Sequence, residues 1–225
     1  FNQPDRFVRK GDAQERPIFE HVAEVPEAAS SSQKYLAEVA RSARDASQQV
    51  REAWSGYKSP VDYGIFPVNL NKIAALIAAE MPARLYYTSY PHNSFDTHVL
   101  QAEPHGRYLT YVADAVAAFM RDMERIGRAD DVTMLIFSEF GRRAAENTSL
   151  GTDHGTANLM FVVGKSVKGG QYGKRSSLTD LMPDGNLQYS VDFRRVYATM
   201  IEGWLQHKDS AAILRDRFET FPIFT

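Results

Sequence analysis

The chain has no cysteine in its 225 residues. That absence excludes disulfides, thiolate metal sites and thiol nucleophiles, and it leaves the compartment open. It has no apolar run approaching the length of a membrane span. It has no surplus of either charge: 26 Lys and Arg stand against 28 Asp and Glu, a net charge of -2. A nucleic-acid partner is therefore disfavoured, and there is no acidic tail. What is present is an ordinary globular composition, 44% hydrophobic and 24% charged, ample for a sizeable core. The length suits one domain or slightly more. The chain opens on Phe1 and a polar, Pro-containing stretch, which reads as a trimmed piece of a longer protein that has lost any leader.

Residues 1–30 are charged, proline-rich and without period, and read as an irregular arm or connector. Residues 31–225 read as one α/β domain. From about Ser32, apolar or small residues at Leu36, Val39, Ala40, Ala43, Ala46, Val50, Ala53, Trp54 and Tyr57 follow a helical period, ended by Gly56 and Pro60. A second helix is predicted over Asn69–Met81, stopped by Pro82. The aromatic run Arg84–Tyr90 reads as a buried strand. A long helix is predicted over Arg107–Ile126, with Gly127 as its C-terminal cap. Strands are predicted at Val132–Phe137 and Leu159–Val163, then a Gly-rich loop over 164–173 and helices at Val191–Gln206 and Ala211–Phe218. Asp192 reads as a helix cap rather than a catalyst.

Strand, helix and strand in that order predict a βαβ crossover with two parallel strands. The loops after Tyr90 and after Phe137 would then leave the same sheet edge, where α/β enzymes build their sites. Those loops hold chemistry. Asp96-Thr97-His98 offers a carboxylate and an imidazole two residues apart, Glu139 another oxygen, and Asp153-His154 a second Asp-His pair. Four of the six histidines (His92, His98, His105 and His154) lie in or just after these loops. Mixed oxygen and nitrogen donors without sulfur suit zinc, manganese, iron or calcium. Taken singly, Asp and His in polar loops are commonly turn formers and caps. Arg142 offers a guanidinium fork for sulfate or phosphate oxygens, whereas Arg143 reads as a partner for Glu146 or another surface acid.

Ser94-Phe95-Asp96-Thr97-His98, Ser138-Glu139-Phe140-Gly141-Arg142, Gly151-Thr152-Asp153-His154-Gly155-Thr156-Ala157 and Asp192-Phe193-Arg194 occur in this order. Together they resemble the domain-of-unknown-function 1501 family, which is similar to sulfatases and the alkaline phosphatase superfamily. The resemblance implies a three-layer α/β/α sandwich with a mainly parallel sheet, incomplete at its N-terminus. It implies a two-metal site hydrolysing small anionic sulfate or phosphate esters, in an exported protein. On it, Asp96 and His98 look like ligands of one ion. Glu139 stands for the aspartate of a strand-end Asp-His pair, with Phe140 where histidine is expected, and His154 is the late ligand. In a competing alignment Asp153-His154 is itself that pair. The superfamily's first metal-binding Asp and its nucleophile have no counterpart in residues 1–64. The expected metal set is therefore Asp96, His98, Glu139, Asp153 and His154, with a divalent ion (zinc, manganese or calcium) and Arg142 near the substrate anion. Two other readings follow from the same residues. One is a non-catalytic exported binding or scaffold module that keeps the fold. The other is a carbohydrate-binding surface using Tyr86, Tyr87 and Tyr90.

Overall fold

The computed structural model describes residues 4, 17–18, 21, 29–91 and 93–224. The chain falls into two compact units, Phe1–Ser89 and Tyr90–Thr225.

In the first unit, helix α1 (Ser31–Gly56) is started by a capping box. The Ser30 hydroxyl accepts from the Gln33 amide N–H and the Gln33 side chain accepts from the Ser30 N–H, which satisfies two of the helix's orphan donors. Helix α2 (Leu70–Ala78) lays Leu76 against Val50 and Ala53 of α1, with Met81 and Tyr86 packed around them. Pro82 is not what stops α2. The stop is a turn in which Glu80 takes a positive φ of 53°, the Met81 N–H donates to the Leu76 carbonyl and the Glu80 N–H to Ile77.

In the second unit, helix α3 (Ala102–Arg125) buries Ala115, Ala118, Phe119, Asp122 and Met123 along one face. Gly127, at φ 72°, closes it with the same pair of bonds, Arg128 N–H to the Met123 carbonyl and Gly127 N–H to Glu124. Four short strands follow: β1 (Thr133–Ile136), β2 (Gly141–Glu146), β3 (Thr152–Gly155) and β4 (Phe161–Gly164). β1 pairs antiparallel with β4, Thr133 opposite Gly164 and Ile136 opposite Phe161. β2 pairs antiparallel with β3, Gly141 opposite Gly155 and Arg142 opposite His154, with a bulge before Glu146. The β2–β3 hairpin is thus inserted between the strands of the β1–β4 ribbon. Helix α4 (Phe193–Thr199) is capped by Asp192, whose carboxylate accepts from the Arg194 N–H. It continues into a π-helical turn, Met200–Trp204, and helix α5 (Ser210–Leu214) follows.

The three-layer α/β/α sandwich with a mainly parallel sheet is not the fold. Among the described residues the β structure is two antiparallel two-stranded sheets. A parallel crossover required the segment before α3 to pair with β1, but residues 84–90 enter no ladder. Their aromatic, β-favouring composition finds no neighbouring strand, and Leu85 and Tyr87 face solvent. β-propensity reports fit to a half-buried pleated surface, so without a partner it yields no strand. Among the described residues β1 pairs with β4 alone, the strand that returns after the hairpin, and the pair is antiparallel. No helix among the described residues is long and apolar enough to cross a membrane.

Candidate metal centre

The site lies within the second unit, where a loop meets the β2–β3 hairpin. The loop is set by Phe95, whose ring packs edge-on against Tyr90, His105 and Tyr108. Burial and the charge of Arg142 hold the His105 imidazole below its usual pKa. Phe95 ends a turn closed by the Asp96 N–H donating to the Asn93 carbonyl, and Asp96 and His98 beyond it both reach His154 of the hairpin.

Hydrogen bonds fasten the loop there. The Leu100 and Gln101 N–H groups donate to the Ser149 and Leu150 carbonyls at 2.9 Å each. Asn147 Nδ2 donates to the His98 carbonyl at 3.1 Å. This approach needs Gly151, since a Cβ built there would lie 2.3 Å from both the carbonyl carbon and the carbonyl oxygen of His98. Gly151→Ala is accordingly expected to lower the melting temperature, because it pushes the segment carrying His98 out of place, and thermal melting measures the effect.

Three donor atoms converge. His154 Nε2 lies 2.7 Å from Asp96 Oδ1, His98 Nε2 lies 3.1 Å from the same oxygen, and the two Nε2 atoms are 3.2 Å apart. Ligands about 2.0–2.1 Å from a tetrahedral ion sit roughly 3.3 Å from one another. The observed triangle is that face of a coordination sphere, slightly contracted, so the donor set fits a divalent ion. Among the described residues this is the cluster of such groups that meets within 4.8 Å. Its side chains remain 38–45% exposed, which leaves the fourth side open. Open sites of three protein ligands are the catalytic kind, closed sites of four the structural kind.

The neighbours hold these donors in place. The Phe140 ring stacks on His154 at 3.6 Å and 15°. The Asp96 carboxyl is held below the usual carboxylate range, chiefly by the His154 hydrogen bond and further by the charges of His154, His98 and Arg142. Arg142 donates through Nη2 to the Phe95 carbonyl at 2.7 Å and through Nη1 to Thr152, and stands 3.7 Å from Asp96. Its guanidinium also lies over the Phe140 ring. It is a brace between loop and hairpin with a positive charge at the edge of the cluster.

Of the residues singled out in the sequence, the structure therefore brings together Asp96, His98 and His154. Asp153 is not in the triangle. Its Oδ1 lies 3.5 Å from His98 Nδ1, on the far side of that ring. Glu139 is exposed in the turn between β1 and β2 and stands outside the cluster. The parallel sheet edge that was to aim it inward does not exist. His92 lies outside the described residues. The residue that sequence reasoning passed over is Asn147, at the start of the hairpin turn. An Asn opening an Asn-Thr-Ser-Leu-Gly stretch is a turn signal that would have marked it.

The fold and the site define a mixed protein of helices and short antiparallel ribbons that carries an Asp-His-His donor triangle between a loop and a hairpin. The chain belongs to the family described as protein of unknown function (DUF1501), which it matches over residues 10–217. Comparison with curated proteins and with solved structures gives no match.

Proposed function

We propose that this chain carries the metal side of a divalent-metal-dependent hydrolase of small sulfate or phosphate esters. The observation that supports the reading is the open triangle of one carboxylate oxygen and two imidazole nitrogens, with mutual distances of 2.7, 3.1 and 3.2 Å. Sulfatase-like motif order in the sequence supplies the substrate class. A divalent ion bound there supplies Lewis acidity and lowers the pKa of water toward neutrality. Asp96, His98 and His154 hold the ion on one face and leave the other to water and substrate. One three-donor cluster supports a single ion rather than the two-metal arrangement implied by the resemblance. Water is the nucleophile on this reading, because the hydroxyls next to the ligands in sequence are engaged: Thr97 accepts from the Gln101 amide and Thr152 donates to Gln101. Attack at phosphorus or sulfur breaks the ester bond and releases an alcohol with inorganic phosphate or sulfate. Arg142 keeps Asp96 aligned and adds positive charge where the anion approaches.

The test is metal analysis of the purified protein, zinc and manganese titration, and turnover of p-nitrophenyl phosphate and p-nitrophenyl sulfate. The expected result is near-stoichiometric metal with hydrolysis of one ester, both lost in His98→Ala. Metal retained without turnover would replace this reading by that of an ion-stabilised binding module. Absence of metal binding would sink both.

A further inference from the structure

We propose that Asp153, held by Asn147, selects the tautomer and orientation of His98, so that the ring presents its Nε2 lone pair to the ion. This inference rests on the proposed metal site and deepens it. A neutral imidazole has one N–H, and an ionised carboxylate only accepts. His98 has a carboxylate on each side: Asp153 Oδ1 is 3.5 Å from Nδ1 and Asp96 Oδ1 is 3.1 Å from Nε2. Distance alone would favour the proton on Nε2, where it would block the ion. The third member of the triangle reverses that preference. His154 Nε2 is closer still to Asp96, at 2.7 Å, and 3.2 Å from His98 Nε2. Two ring nitrogens in hydrogen-bond contact need one donor and one acceptor. If the His154 Nε2–H donates, it serves Asp96 and His98 together, and the His98 proton must sit on Nδ1, facing Asp153. This assignment satisfies three of the four contacts. It leaves the His98 Nε2 and Asp96 Oδ1 lone pairs facing each other at 3.1 Å, where an ion would bridge them, and an ion at His154 would take the place of its Nε2 proton.

The partner behind His98 is built, not incidental. Asn147 Nδ2 donates to Asp153 Oδ1 at 3.2 Å and to the His98 carbonyl at 3.1 Å. Its Oδ1 accepts from the Ser149 and Gly151 N–H groups at 2.9 and 3.1 Å. One amide thereby fixes the hairpin turn, the carboxylate and the backbone of the histidine that the carboxylate orients. Such outer partners of metal-bound histidine set ring orientation and raise ligand basicity.

The experiment uses the full chain and two readouts. Zinc titration of Asp153→Ala should show affinity reduced ~10–100-fold, with Asp153→Glu recovering part of the loss. Long-range proton–nitrogen NMR of the metal-free protein should show His98 as the Nδ1–H tautomer, and a shift toward Nε2–H in Asp153→Ala. Asn147→Ala, which leaves the carboxylate but frees it, should weaken zinc binding less than Asp153→Ala. Unchanged affinity together with an unchanged tautomer would overturn the inference. If the parent protein binds no zinc, the proposed function falls. The tautomer measurement, which needs no metal, still decides what Asp153 does.

Discussion

Replacing His154 by alanine is expected, on the proposed function, to remove zinc binding and ester turnover while leaving the fold intact. The substitution takes away one of three donors and opens the triangle at the corner closest to Asp96. Loss of an outer partner costs ~10–100-fold in metal affinity, and loss of a direct ligand must cost more. The imidazole is about half exposed and its neighbours are a stacked Phe140 and a carboxylate, so little core is disturbed. Circular dichroism without metal should match the parent, with melting slightly lower because Asp96 loses its His154 partner; titration calorimetry should show no heat of binding. Asp96→Asn should behave alike, with one difference in acid. The Asp96 carboxyl is held below its usual range in the folded state. A carboxyl lowered by folding contributes stability above its unfolded pKa, about 3.9, and loses it as the pH falls through the folded value. Asp96→Asn lacks that contribution, so its melting temperature should fall less steeply as the pH drops below the unfolded carboxyl pKa of about 3.9. An unchanged zinc isotherm in His154→Ala would remove this residue from the site.

The largest loss of stability is expected from Gly141→Ala. A Cβ at this position would stand 1.8 Å from the Ala157 carbonyl oxygen and 2.4 Å from its carbon. Both obstacles are backbone atoms, so no side-chain rotation relieves them. Gly141 is also the first residue of the β2–β3 ladder, opposite Gly155, where a Cβ would meet the Arg142 backbone at 2.7 Å. Small-to-large changes in packed sites typically cost about 1–3 kcal/mol, and a contact this short against fixed backbone belongs at or above the top of that range. Calorimetric melting should show the drop. Gly56→Ala is the control: a Cβ there meets nothing within 4 Å, and the substitution should leave the melting temperature unchanged or slightly raised. Equal melting of Gly141→Ala and parent would mean that β2 does not approach Ala157 as described.

The helices were legible because their signals are local. Gly127 and Asp192 are stop and start signals that require only neighbours in sequence, and each does what its chemistry dictates, whereas the Ser30–Gln33 capping box places the first helix start slightly before the expected Ser32. The sheet was not legible, because strands are completed by distant partners. Arg84–Tyr90 has strand composition but no ladder, while Gly141–Glu146, small and charged, is a strand because β3 returns alongside it. The same distinction governs the site. That Asp96 and His98 lie close together follows from a two-residue spacing. Their meeting with His154 depends on Gly151, Asn147 and the register that sets Arg142 opposite His154. Glu139 was expected beside them from a parallel sheet edge and from the resemblance, and it stands exposed, outside the triangle. Asp153 and His154 are adjacent in a strand and so point to opposite faces. One joins the triangle and the other reaches around to the back of His98.

The donor triangle also joins residues 56 and 58 positions apart. An ion bound on the proposed reading is therefore a reversible cross-link. It closes a long loop that contains α3, β1 and β2, and it does so only in the folded unit, whose geometry brings the three donors together. Stability of this unit then rises with the logarithm of free metal concentration. The hairpin and its loop become a clasp whose tightness is set by the metal supply of the surroundings rather than by the hydrophobic core alone.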